Sequence, residues 1–149
     1  MSKIIAVDFD GTLCDHQFPE IGTEVPGAFH WLREFQAAGA KLILWTMRSD
    51  LRNPQDKGDG PTPGAKADQD YLRAAVEWCR ARGVEFWGVN HNPQQATWTA
   101  SPKVYAHIYI DDAAFGCPLR DMPRAGSRPA VDWSRVGPAV MDMLRRSQA

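Results

Sequence analysis

The sequence predicts an α/β fold: a Rossmann-like three-layer α/β/α sandwich with a mainly parallel central sheet, built as one domain over residues 1–149. Three observations predict it. Short apolar runs alternate with amphipathic helical patterns in the order strand–helix–strand–helix–strand, which calls for parallel pairing and right-handed crossovers. The runs end in polar residues, namely Asp8 and Asp10, Thr46, and Asp111-Asp112. Ligands of such sheets sit beyond the carboxyl ends of the strands. The length of 149 residues suits one domain with a real core but not comfortably two.

Ile4–Val7 is an uninterrupted apolar run, the mark of a strand buried on both faces, and it leads into Asp8-Phe9-Asp10-Gly11-Thr12. Pro26 is expected to open a helix, where its missing N–H costs little. Ala28, Trp31, Leu32 and Phe35 recur there at helical spacing, and Gly39 suits the C-terminal cap. Lys41–Trp45 reads as the second strand and delivers Thr46-Met47-Arg48. Ser49–Ala65, rich in Gly, Pro and charge of both signs, is long for a loop in a compact domain. A second helix is expected from about Ala67 to Arg82, with Tyr71, Ala75, Trp78 and Cys79 inward and Gly83 as its stop. Val84–Val89 and Val104–Ile110 read as strands separated by a loop. Gly116–Pro129 has no regular pattern, and a last helix covers about Arg135–Arg146.

The bulk properties exclude several classes. A net charge of −1 supplies no field to recruit nucleic acid or an anionic membrane. No apolar run approaches the ~20 residues of a membrane span. The chain enters its first strand at once, so no signal peptide is expected. Cys14, Cys79 and Cys117 form no CxxC, which favours reduced thiols in a cytoplasm over a disulfide framework or a zinc site.

Asp8 and Asp10 lie on one side of an extended chain, with Phe9 opposite, and Gly11 permits a sharp turn. Two carboxylates there repel and need a cation or a proton. An acidic turn is the plain alternative; a calcium loop lacks its further ligands and closing Glu. Phosphoryl transfer needs a nucleophile, a cation, donors for phosphate oxygens and a proton source. Asp8 suits the nucleophile, forming an acyl phosphate that water hydrolyses. Asp10 suits the general acid/base. Thr46 offers a hydroxyl and neighbouring backbone N–H groups to the phosphate, and Lys103 a neutralising charge. Asp111 suits Mg²⁺, with Asp112 binding one of its waters or the ion itself.

Asp8-Phe9-Asp10-Gly11-Thr12 after a first hydrophobic strand resembles motif one of the haloacid dehalogenase-like (HAD) phosphohydrolases. Thr46 matches motif two, Lys103 motif three and Asp111-Asp112 motif four, so the resemblance spans roughly Ile4 to Asp112. It implies an Mg²⁺-dependent phosphatase with an aspartyl-phosphate on Asp8. It further implies that the backbone carbonyl of Asp10 is a metal ligand, beside Asp8, Asp111 and Asp112. The intervals between the motifs hold no extra domain, so a minimal, capless member is implied. Ser49–Ala65 is then the internal candidate for substrate recognition, with Arg48 as the leading contact and Arg52, Lys57 and Lys66 behind it. The expected partner is a phosphorylated small molecule or polymer end, with a homo-oligomer as an option.

A receiver domain, or a degenerate HAD that binds Mg²⁺ or phosphate without turnover, is the rival reading. Receivers place the phosphorylated Asp after a central strand, whereas the third strand here ends in Val89-Asn90. Asn90, His91 and Asn92 read as polar loop residues before they read as substrate contacts. His16 has no second His or Cys at metal spacing. Cys14 reads as a small buried filler.

Overall fold

The computed structural model describes residues 2–50 and 70–147. Its elements are β1 (Ile4–Val7), α1 (Ala28–Ala37), β2 (Lys41–Leu44), α2 (Tyr71–Arg80), β3 (Gly88–Val89), β4 (Ile108–Ile110), β5 (Leu119–Arg120), β6 (Ala130–Val131) and α3 (Trp133–Arg146). The central sheet has the order β3-β2-β1-β4, and every pairing in it is parallel. The fold is therefore Rossmann-like α/β, with helices flanking a parallel sheet. No helix among the described residues is long and apolar enough to cross a membrane. Most of the Ser49–Ala65 loop, including Arg52 and Lys57, lies outside the described residues, as does Lys66.

Side-chain alternation divides β1 between two cores. Ile5 and Val7 join Leu42, Leu44 and Ile110 under α1, α2 and α3, with Leu32, Phe35, Ala75, Cys79 and Trp133 all buried. Ile4 and Ala6 face the other way and pack with Ile43, Val104 and Ala106, flanked by Trp45 and Trp87. That second face is covered by the β3–β4 connection, which contains a short 3₁₀ turn at Gln95–Thr97.

Several boundaries differ from the sequence expectations, each for a local reason. Gly27 sits at φ 82°, a left-handed conformation, so α1 starts after it and excludes Pro26. The first described turn of α2 begins at Tyr71, where Asp50 accepts from the backbone N–H groups of Leu72 (3.0 Å) and Arg73 (2.9 Å). Asp50 thereby does the work of an N-cap side chain from a distant segment. β4 pairs only from Ile108, because the Tyr109 hydroxyl donates to the Val104 carbonyl (2.6 Å) and accepts from the Ala106 N–H (3.2 Å), folding residues 104–106 off the ladder. Gly116–Pro129, expected to be irregular, contains β5, which pairs antiparallel with β6 just beyond it. α3 begins at Trp133, two residues earlier than expected, because Asp132 caps it by accepting from Ser134.

α3 crosses α1 closely at Gly137, where a Cβ would collide with the Trp31 ring. Replacing Gly by Ala inside a helix gains up to ~1 kcal/mol of intrinsic propensity. Overpacking costs about 1–3 kcal/mol. Gly137→Ala is thus expected to lower the urea midpoint without changing the slope. A raised midpoint would mean that Trp31 moves aside at little cost.

Candidate functional site

β1 and β4 are neighbours and parallel, so their carboxyl ends bring Asp8 beside Asp111 and Asp112. Each of the three offers a carboxylate oxygen, and these oxygens all lie within 4.8 Å of one another. The Thr12 hydroxyl stitches the two ends together. It donates to Asp8 Oδ2 (3.0 Å) and accepts from the Asp112 backbone N–H (3.3 Å). Thr12 itself is held from below, because the buried Trp133 indole donates to its carbonyl at 2.7 Å. At Gly11, φ 82°, a Cβ would run into His16 and Asp112, so the turn after β1 requires glycine.

Burial, then the charge of Asp111, then the hydrogen bond with Asp112 push the Asp8 carboxyl up to about 8. Burial also raises Asp111. Such a set of hard oxygen donors with too little positive charge nearby fits a divalent cation such as Mg²⁺. Asp8, Asp111 and Asp112 are the side chains placed to hold it.

Asp10 is not part of this cluster and is gripped by Arg48. The guanidinium donates Nε–H to Asp10 Oδ2 (2.9 Å) and Nη2–H to Oδ1 (2.8 Å), a bidentate fork. Its remaining bonds go to the carbonyls of Pro19 (3.2 Å) and Glu20 (2.9 Å). Arg48 is only 2% exposed and lies between the rings of Phe9 and Phe18. All three of its nitrogens are engaged within the protein, so its observed role is to orient Asp10 rather than to present a free cation to substrate.

Thr46 reaches the same end of the sheet. Its backbone N–H donates to Asn90 Oδ1 (2.8 Å), and its hydroxyl oxygen accepts from the Arg48 N–H (3.1 Å). Asn90 Nδ2 in turn donates to the Arg48 carbonyl (3.2 Å). Asn90 thus fixes the Thr46–Arg48 turn, and the Thr46 O–H remains a donor. Asn92 is buried in loop bonds, donating to the Tyr105 carbonyl at 3.0 Å.

Lys103 makes no ion pair with Asp8. It is exposed, its ammonium stands 5.9 Å from the Tyr109 ring centroid, and among the described residues it forms no ion pair. Tyr109 alternates with Ile108 and Ile110 along β4, so it turns away from the core under the helices.

Residues that the sequence reading left without a role take part instead. His16 bridges Asp112 and Arg128, with Nε2 at 2.9 Å from Asp112 Oδ2 and Nδ1 at 2.7 Å from Arg128 Nη2. Arginine can only donate, so Nδ1 accepts and Nε2–H donates to Asp112. Next to it, buried Asp15 accepts from Arg124 Nε (2.8 Å) and from the Ser127 hydroxyl. Burial works to raise the Asp15 carboxyl, but the Ser127 and Arg124 bonds and the Arg124 charge outweigh it and hold Asp15 below its ordinary value.

No family model matches the chain, and no curated protein does. Among solved structures, that of a conserved protein from Bacteroides thetaiotaomicron matches with a TM-score of 0.67 and 30% identity, covering 96% of this chain and 93% of that one.

Asp8 makes stability depend on pH in a defined direction. Folding raises its pKa from 3.8 to about 8, so between these values the folded state keeps a proton that the unfolded chain has lost. Metal-free protein is therefore expected to lose stability as pH rises through that window. In Asp8→Asn the loss should be largely absent, and Mg²⁺ should suppress it in the wild type. Urea midpoints measured at a series of pH values, with chelator and with Mg²⁺, check this; coincident slopes for wild type and variant would show that Asp8 is not the group responsible.

Proposed function

We propose that this chain, which belongs to the same family as the conserved Bacteroides thetaiotaomicron protein, is an Mg²⁺-dependent phosphatase of HAD-like type acting through an aspartyl-phosphate on Asp8. The observation that supports this most is the meeting of Asp8, Asp111 and Asp112 within 4.8 Å at the ends of two adjacent strands. The resemblance of the DFDGT stretch to motif one adds the reaction type.

Asp8 would attack the phosphorus of a phosphomonoester, and the bond from phosphorus to the leaving oxygen would break. A proton from Asp10 would pass to that oxygen. Water would then attack the acyl phosphate, giving its proton to Asp10 and releasing inorganic phosphate and free Asp8. The Asp10–Arg48 fork suits the second half, because it holds the carboxylate ready to accept. Proton donation in the first half requires one Arg48 bond to open. The Thr46 hydroxyl would donate to a phosphoryl oxygen. Asp8, Asp111 and Asp112, the last directly or through water, would hold Mg²⁺ together with the Asp10 carbonyl, and the ion would supply charge neutralisation for the dianionic phosphoryl group.

A second reading, Mg²⁺ and phosphate binding without turnover, draws on one observation: Lys103 stands over Tyr109 and makes no ion pair with Asp8. Phosphate release separates the two. Across a panel of phosphomonoesters, turnover is expected with Mg²⁺ and not in chelator, and Asp8→Asn should abolish it while leaving the circular dichroism spectrum intact. Asp111→Ala should need more Mg²⁺ for the half-maximal rate. Turnover persisting in Asp8→Asn would remove the mechanism, and no turnover in the wild type would favour the binding reading.

A further inference from the structure

Beside Asp10 lies a cleft of about 530 Å³ whose walls include His16, Phe18, Met47, Arg48 and Arg128. Asp10 lines it, whereas Asp8, Asp111 and Asp112 do not. The cleft therefore opens on the side of the proton donor, which is where a leaving group must be. Phe18 is 58% exposed and Met47 98% exposed, so two large apolar side chains stand open at its rim. Arg48 brings no spare charge to it, since each of its nitrogens already donates to Asp10 or to a backbone carbonyl.

Arg128 differs. It is exposed, and among the described residues it spends one N–H on His16. That bond ties it through the imidazole to Asp112, so the guanidinium is held two hydrogen bonds and one ring away from the acid cluster. The rest of its fork is available for bidentate pairing with a planar anion. We infer that Arg128 is a specificity-determining residue, and that the leaving group this cleft takes carries an anionic substituent, a carboxylate or second phosphate, on an apolar body contacting Phe18 and Met47. The inference rests on the phosphatase reading for the position of the leaving group.

The test compares kcat/KM for meta-carboxyphenyl phosphate and phenyl phosphate in the presence of Mg²⁺. A hydrogen-bonded charge pair corresponds to a preference of about 10- to 100-fold for the carboxylated ester. Arg128→Gln should bring the ratio near unity, mainly through KM, and Arg128→Lys should keep part of it. A wild type without preference, or a ratio unchanged in Arg128→Gln, overturns the inference while the phosphatase reading stands. If neither ester is turned over, the phosphatase reading falls and calorimetry decides the role of Arg128. Tighter binding of carboxybenzylphosphonate than of benzylphosphonate, lost in Arg128→Gln, would support anion recognition; equal affinities would overturn it.

Discussion

The mutual repulsion of Asp8, Asp111 and Asp112 is the constraint on which the rest of the structure turns. Were all three ionised, each pair at such a separation would repel by about 3–4 kcal/mol at the effective dielectric of a protein surface. That is a large share of the ~5–15 kcal/mol by which a domain is stable. A flexible chain would let the carboxylates part. Here they are fixed, because β1 and β4 are adjacent rungs of one parallel sheet and Thr12 bonds both ends at once. The apolar core beneath the cluster fixes both strand ends, with Ile5, Val7 and Ile110 shielded by α1 and α3.

The C-terminal third supplies the remaining restraint. Val131 donates its N–H to the Gly11 carbonyl (3.0 Å), and Trp133 bonds the Thr12 carbonyl, so the turn after β1 is anchored by the start of α3. Arg124 and Ser127 close on Asp15, and Arg128 closes on His16. A segment without periodic sequence thus clamps the loop that carries the acids. The small β5–β6 pair aligns that clamp. Packing and polar satisfaction agree here: among the described residues no buried side-chain nitrogen or oxygen lacks a partner.

Much of this was legible in the sequence, and what was not shares a physical cause. Ile4–Val7 and Lys41–Leu44 are continuous apolar runs, so the strands and their polar ends could be read from local pattern. Asp8, Thr46 and Asp111 fall at strand ends by topology alone. Pairings across long separations left no local trace. Asp10 and Arg48 are 38 residues apart, and His16 and Asp112 are 96 apart. A search for metal-spaced histidines passes over His16, because its partners are an acid and an arginine. Lys103 is a different case. Its position in sequence order fits a neutralising role, yet it makes no ion pair with Asp8, and its ammonium stands 5.9 Å from the Tyr109 ring centroid.

Few of the neighbouring cations are free to neutralise the cluster. Arg48 is committed to Asp10, and the His16 link to Asp112 is a neutral imidazole if Arg128 donates to it. Asp8 is left with burial and two neighbouring acids, which drive it to hold a proton up to about 8. A protonated carboxyl is a poor nucleophile. A proton and a divalent cation compete for the same oxygens, since carboxylate ligands bind metal only when deprotonated. Cation affinity in such a cluster must rise with pH, and cation binding must release the proton from Asp8. On the proposed function, one event then both neutralises the incoming phosphate and frees the nucleophile.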